Sequence, residues 1–310
     1  MHNIPLRVKM GSYSVNITMV TWNRRNLTQL CLERLLSTKL HKTVIHIVDN
    51  GSTDGTREFL SRLATAHANV KTFFLDKNYG VSVAANFGWS LADSEFYLKI
   101  DNDVAIENAN WLDDLVNFSH RNKEIGMLGY RLLEKHAITP VYLQSGDLFH
   151  EFSACGGGVA LIPRHIHTQC GFWNEDYGKY GFEDLDYSNR VRSIGYKVGY
   201  LPDEHSVKHL GYDVDVDIEQ EALKHYSVNN INKGEKLYLI NKFLFENKIR
   251  SLHVYRKFLP EQNEKNNDIH FEFNKQYSPI VKIQNELLHK VTYSKDKNDK
   301  AYLDLNLLKH

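Results

Sequence analysis

The chain has 310 residues, with 38 Lys+Arg balanced by 38 Asp+Glu and a formal net charge of zero. That length buries an ample core without covalent staples, and the neutral balance argues against nucleic acid as the main partner without excluding it. There is no long uninterrupted apolar run and no basic-then-apolar leader, and the three cysteines, Cys31, Cys155 and Cys170, are too far apart for a CxxC pair; the expectation is a cytoplasmic protein with reduced thiols, two of them in the core, and no recognisable route across a membrane.

The first element is a strand-like run from Val15 to Thr21, ending in Trp22-Asn23-Arg24-Arg25. Leu27, Leu30, Cys31, Leu35 and Leu36 then recur at helical spacing, with Asn26 as the N-cap. A second strand, Val44 to Val48, ends in Asp49-Asn50-Gly51-Ser52, and Thr53 or Asp54 caps a helix carrying Phe59, Leu60 and Leu63. The third strand runs from Val70 to Leu75 and ends in Asp76-Lys77-Asn78-Tyr79-Gly80. A fourth, Phe96 to Ile100, ends in Asp101-Asn102-Asp103. Strands and helices alternating at this spacing predict βαβ units and a mostly parallel sheet, whose carboxyl edge collects these four polar ends.

Further on, Gly156-Gly157-Gly158 precedes an apolar strand, Val159 to Ile162. Trp173, Tyr177, Tyr180 and Phe182 form an aromatic cluster just ahead of Glu183-Asp184-Leu185-Asp186. The segment from Glu183 to Ile194 reads as a helix with Leu185, Val191 and Ile194 buried. From residue 221 onward the chain holds 16 Lys+Arg against 11 Asp+Glu, whereas the part before it is acidic, and the expected division is 1–215 and 216–310. In the later part Leu237, Ile240, Phe243, Leu244 and Ile249 form a helical stripe interleaved with basic residues such as Lys236, Lys242 and Arg250. The pattern continues through Leu259 to Pro260, and residues 261–269 read as a loop. Such a helix packs on the preceding domain with its lysines solvated; the alternative is a peripheral contact with anionic lipid or an anionic acceptor.

The chemistry concentrates at the fourth strand end. Two carboxylates one residue apart form an anionic clamp suited to a hard divalent cation carrying a phosphate ligand. Thr21 and Asn23, with Arg24 beside them, sit where the first strand yields to a helix, a place that favours phosphate. Asp49 ends the second strand on the same rim. Gly80, after Asn78, allows a close backbone approach to a ligand.

The series VTWNRRN, VDNGSTDGT, NYGVSVAANFG and KIDND, in this order and spacing, resembles the inverting family 2 glycosyltransferases of the GT-A fold. The glycine-rich strand after residue 156, the acidic motif at 183–186 and the late Val207-Lys208-His209-Leu210-Gly211 extend the resemblance over residues 14–215. It implies an α/β, Rossmann-like nucleotide-diphospho-sugar transferase fold, here followed by a mainly helical C-terminal extension. It also implies a nucleotide-sugar donor, UDP- or dTDP-linked, with Asp49 placed to accept a hydrogen bond from a uracil or thymine imide although guanine also offers N–H donors, and a cofactor of Mn²⁺ or Mg²⁺.

By this resemblance Asp103 is the direct metal ligand, Asp101 binds directly or through water and the donor ribose, Asn102 is a donor contact and His209 a further ligand, with His205 as its rival. Asp184 is the base that deprotonates the acceptor hydroxyl, Glu183 holds the acceptor or orients a neighbour, and Asp186 is structural. Gly157 permits close approach, and Trp173 and Phe182 offer faces for an acceptor sugar. The acceptor is a growing glycan or lipid-linked sugar, the alternatives being a protein or modified DNA. Two other classes remain: a sugar nucleotidyltransferase, which would show a glycine-rich basic loop early in the chain, and a non-catalytic sugar-nucleotide-binding module, which would have lost part of the acidic set.

Overall fold

The computed structural model describes residues 13–132, 138–211, 228–262, 268–295 and 301–304. Strands β1 (Tyr13–Thr21), β2 (Thr43–Asp49), β3 (Val70–Phe74) and β4 (Ser94–Asp101) alternate with helices α1 (Arg25–Leu36), α2 (Thr56–Ala66) and α3 (Val81–Ser90). A short β5 (Val104–Ile106) leads to α4 (Trp111–Arg121), β6 (Ile125–Gly129), β7 (Thr139–Tyr142) and β8 (Leu148–Glu151). Then come β9 (Val159–Pro163), α5 (Arg164–Cys170), α6 (Glu183–Ser193), β10 (Lys197–Tyr200) and β11 (Val207–His209).

Nine strands form one sheet in the order β3-β2-β1-β4-β9-β6-β10-β8-β7. The first four run parallel, β9 is reversed between β4 and β6, β10 is parallel to β6, and β8 is reversed. The sheet is therefore mostly parallel, as alternating elements predict. Every residue of β2 and of β9 is buried, which is why these strands read as continuous apolar runs instead of alternating ones. The main core lies on one face of the sheet, with Ile17, Ile45, Leu98 and Leu161 stacked under Trp111 and Leu115 of α4. All three cysteines are buried and unpaired.

The strand order reverses between β1 and β4. Register places Thr21 beside Asp49 and Val20 beside Asp101, so the strand ends form one rim at the switch point, where open α/β sheets bind ligands. A separate two-stranded ribbon pairs β11 with β5, setting His209 opposite Val104. This pairing carries the late histidine back to the Asp101–Asp103 turn.

The C-terminal part comprises α7 (Val228–Glu246), an antiparallel pair β12 (Phe258–Gln262) and β13 (Ile269–Phe273), α8 (Ser278–Lys290) and a second pair, β14 (Thr292–Lys295) and β15 (Ala301–Asp304). The expected boundary at 215/216 lies outside the described residues. Ile240 and Leu244 of α7 pack against Leu287 of α8 and Val291. The helical pattern stops earlier than expected, at Glu246. Pro260 sits inside β12, opposite Phe271, where a two-stranded ribbon tolerates its missing donor.

The docking of this part is ionic as well as apolar. Asp176, in the 3₁₀ turn Glu175–Tyr177, accepts from Arg250 at 2.7 Å, Lys257 at 3.1 Å and Gln284 at 2.7 Å. Arg250 therefore turns inward, only 5% exposed, and does not belong to a solvated basic face.

Candidate active site

Chain direction at the rim is fixed by an unusual turn. Asn23 and Arg24 adopt successive left-handed conformations, φ 55° and 59°, a costly choice for arginine. The loop after β2 holds them there. The Asn23 N–H donates to Ser52 Oγ at 2.7 Å, Asn23 Oδ1 accepts from the Thr53 N–H at 2.9 Å, and the Arg25 N–H donates to Asp54 at 2.9 Å. The result aims the Arg24 guanidinium at Asp103, 3.0 Å away.

Asp103 is the centre of the donor side. It is 9% exposed, and burial, reinforced by the charge of Asp101, raises its carboxyl above the usual range. Oδ2 faces Arg24 and lies 3.6 Å from His209 Nε2. Oδ1 is buried and has no hydrogen-bond partner among the described residues. An unsatisfied carboxylate oxygen beside an imidazole is a donor set that fits a divalent cation of the Mn²⁺ or Mg²⁺ type. Gly211 keeps the space open, since a Cβ there would meet Asp103 Oδ2 at 2.5 Å. His205 is exposed on the Asp203 turn, so it is His209 that the ribbon brings to Asp103. Asn102 points elsewhere, donating to Thr28 of α1 at 2.8 Å.

Several residues expected at the donor are engaged within the protein. Thr21 and Asp49 are fully buried: the Thr21 hydroxyl donates to Asp49 Oδ1 at 3.1 Å, and Oδ2 accepts from the Ser52 N–H at 2.9 Å. They build the turn that holds Asn23. Asn78 Oδ1 accepts from the Asn50 side-chain amide at 3.0 Å and from the Gly80 N–H at 2.9 Å. Gly80, at φ 96°, is demanded by the protein itself, because a Cβ would lie 2.4 Å from the Gly178 carbonyl oxygen.

The acceptor side is the start of α6. Phe182 caps it in a left-handed conformation, φ 67°, a second strained point immediately before the acids. Glu183 is 6% exposed, and its Oε2 has no hydrogen-bond partner among the described residues; burial and the neighbouring Asp184 push its carboxyl up to about 7. Asp184 is only half-buried. It accepts from the Leu185 N–H at 2.7 Å and the Gly157 N–H at 3.4 Å, and desolvation raises its carboxyl. Asp186 is tied to Arg190 at 2.7 Å, Tyr177 at 2.8 Å and Asn174 at 3.1 Å, the structural position expected of it. Glu183, Asp186 and Arg190 lie on the buried face of α6, while Leu185 and Ile194, read as buried, are only partly so.

The aromatic platform is smaller than expected. Trp173 is fully buried and packs on Trp89 and Tyr187 with centroids 5.3 and 4.7 Å apart, so its face is closed to any sugar. Phe182 is stacked on Tyr238 of α7 at 6.0 Å. Tyr180 is the exposed member, at 59%.

Lys99 escaped sequence reading. It is 2% exposed, contacts Asp101, and donates to the Gly157 carbonyl at 2.7 Å. Burial alone would depress its ammonium, yet Asp101 and Glu183 outweigh that and hold it above the usual lysine range. The available signal was a lysine two residues before Asp101 in an apolar strand, hence on the same face as that acid.

The family model described as glycosyl transferase family 2 matches residues 16–174. Among curated proteins the chain is similar to the poly-beta-1,6-N-acetyl-D-glucosamine synthase of Staphylococcus aureus, 22% identical over 203 residues, covering 61% of this chain and 48% of the relative. The chain thus spans about half the length of the curated relatives it matches. Among solved structures it is similar to the mannosyltransferase PcManGT from Pyrobaculum calidifontis, in complex with GDP-Man and Mn²⁺, with a TM-score of 0.55 at 16% identity over 89% of this chain and 69% of that one. S. aureus TarS 1-349 in complex with UDP-GlcNAc gives a TM-score of 0.55 at 15% identity over 75% of this chain and 67% of that one. These likenesses show the fold, the GT-A architecture.

Proposed function

The chain belongs to glycosyl transferase family 2, and from that membership we propose that it transfers a sugar from a nucleoside-diphosphate sugar to a hydroxyl acceptor, inverting the anomeric carbon and using Mn²⁺ or Mg²⁺. The observation that carries the reading is the buried Asp103 carboxylate with one free oxygen, flanked by His209 and Arg24. Asp103 and His209 would hold the cation, with Asp101 beside them. Bound there, the cation would offset the charge that grows on the leaving diphosphate.

The protein's own groups divide the remaining work. Arg24 neutralises Asp103 and gains a second anion when a diphosphate arrives. Asp184 takes the acceptor proton as the acceptor oxygen bonds to the anomeric carbon and the diphosphate departs from its opposite face. Glu183, protonated below about neutral pH, has a hydrogen to donate to an acceptor oxygen. A UDP-linked donor is supported by similarity to a protein solved with UDP-GlcNAc, and a growing glycan as acceptor by similarity to a polysaccharide synthase. The fold's likeness to a protein solved with GDP-Man keeps a guanine donor as the second candidate.

The test is release of nucleoside diphosphate from a panel of UDP-, dTDP- and GDP-sugars with Mn²⁺ or Mg²⁺. Turnover of one donor class, lost on chelation and restored by metal, is expected. Full turnover after chelation would overturn the metal assignment, and no turnover or binding of any nucleotide sugar would overturn the transfer reading.

A further inference from the structure

The donor-side and acceptor-side acids are joined by one continuous chain of contacts. The Lys99 ammonium touches Asp101 and donates to the Gly157 carbonyl at 2.7 Å, and the Gly157 N–H in turn faces Asp184 Oδ2 at 3.4 Å. The Gly157 peptide thus uses its oxygen on one side and its hydrogen on the other. There is little slack. A Cβ on Gly157 would sit 3.1 Å from Lys99 Nζ and 3.9 Å from the Asp184 Cβ, and the Lys99 side chain is 2% exposed.

A buried ammonium facing several acids has an ordinary explanation, charge compensation. Compensation alone does not account for the second bond, to a neutral carbonyl whose own amide faces the acid assigned to the acceptor. Nor does it account for the placement of Lys99 on β4, on the same face as Asp101 and antiparallel to β9, where Lys99 pairs with Ala160. That placement puts the cation between the two halves of the reaction.

We propose that Lys99 is a positioning residue for sugar transfer: one buried ammonium holds Asp101 on the donor side and, through the Gly157 peptide, Asp184 on the acceptor side. The inference rests on the transfer reading above. Its consequence is an opposition between two measurable quantities. While Lys99 holds Asp101, it keeps that carboxylate from an incoming cation and opposes the cation with its own charge. Removing the ammonium frees Asp101 for metal and releases Gly157 and Asp184 from their set positions. Metal affinity then rises as turnover falls. A lysine that merely supports the fold would lower both together.

The experiment uses the full chain, with Mn²⁺ alone as probe, titrated by the electron paramagnetic resonance signal of free Mn²⁺, and nucleotide-sugar turnover as the second readout. Lys99→Met should bind Mn²⁺ about threefold tighter or more, while turnover falls by roughly 10². Unchanged or weaker Mn²⁺ binding by a folded Lys99→Met protein overturns the proposal. Gly157→Ala keeps the charge but presses a methyl against Nζ, and it decides the matter should Lys99→Met fail to fold. It should leave Mn²⁺ affinity within about twofold and cut turnover by about tenfold or more; wild-type turnover in Gly157→Ala overturns the proposal. Wild-type protein that neither turns over nor binds any nucleotide sugar would refute the transfer reading itself, a result separate from either variant.

Discussion

At the scale of single residues, the two acids at the start of α6 face different surroundings. Asp184 is half-buried and Glu183 almost fully so. Asp184→Asn keeps the size of the acid but cannot take a proton, so transfer should fall by roughly 10² to 10⁴. Nucleotide binding should persist, since Arg24, Asp103 and His209 are untouched. Asp103→Asn should do the reverse, weakening metal-dependent nucleotide binding, which calorimetry with and without Mn²⁺ would separate. Asp186→Asn is the structural control: it breaks the bond to Arg190 and should lower the unfolding midpoint.

Glu183 gives a pH prediction with a definite sign. Burial and the neighbouring Asp184 push its carboxyl up to about 7 in the fold, from 4.5 for a free side chain. The folded state therefore binds a proton more readily than the unfolded chain. Its ionised form costs stability above about pH 7, and that cost is relieved as the pH falls towards 4.5, by on the order of 3 kcal/mol. Glu183→Gln should be more stable than wild type at pH 8 and should lack this slope in denaturant titrations. Identical slopes for the two proteins would show that the acid is not buried as described.

At the scale of elements, the β/α alternation was legible because β1 to β4 are runs of apolar residues with polar ends. Their convergence followed from the parallel order. What was not legible was which polar ends face outward. Thr21 and Asp49 occupy positions that look like contacts, but the two left-handed residues at 23 and 24 need a scaffold, and these side chains are consumed in building it. A sequence shows the residue type and not which partner claims it. The early end of α7 was likewise hidden, because the apolar pattern runs on through Leu259 to Pro260 and nothing in it marks Arg250, Arg256 and Lys257 as ion-pair partners. Their partners, Glu175 and Asp176, are more than seventy positions away in the chain.

That ionic seam predicts a second pH effect, of opposite sign. Burial alone would raise the Asp176 carboxyl, but Arg250 and Lys257 outweigh it and hold it down at about 2. The seam's contribution is fully present above the ordinary aspartate range near 4 and is lost as the pH falls towards 2, about 2 kcal/mol in all. Asp176→Asn should flatten this acid limb. Arg250→Met should cost more at neutral pH, about 3 kcal/mol, because it leaves a fully buried carboxylate with only Lys257 to offset its charge. A midpoint unchanged in Arg250→Met would mean that the seam is incidental.

At the scale of the whole molecule, the question is whether the last third of the chain is an appendage or part of the catalytic body. The turn carrying Glu175 and Asp176 lies between β9 and the acids of α6, so whatever anchors it also sets the approach to Glu183 and Asp184. Arg250 reaches Asp176 and Asn174, while the backbone amides of Lys257 and Phe258 both donate to Glu175. Phe182, which caps α6, stacks on Tyr238 of α7. Cutting the chain before residue 228 removes all of these partners at once and leaves two buried carboxylates without their cations. The truncated protein should be insoluble, or should lose at least about 3 kcal/mol of stability, as read from its denaturant midpoint. A truncated protein with the wild-type midpoint and intact nucleotide binding would instead show that the extension is a separable unit. Co-expressing residues 228–310 as a second chain extends the test: recovery of solubility would show that the seam, and not chain continuity, holds the acceptor side in place.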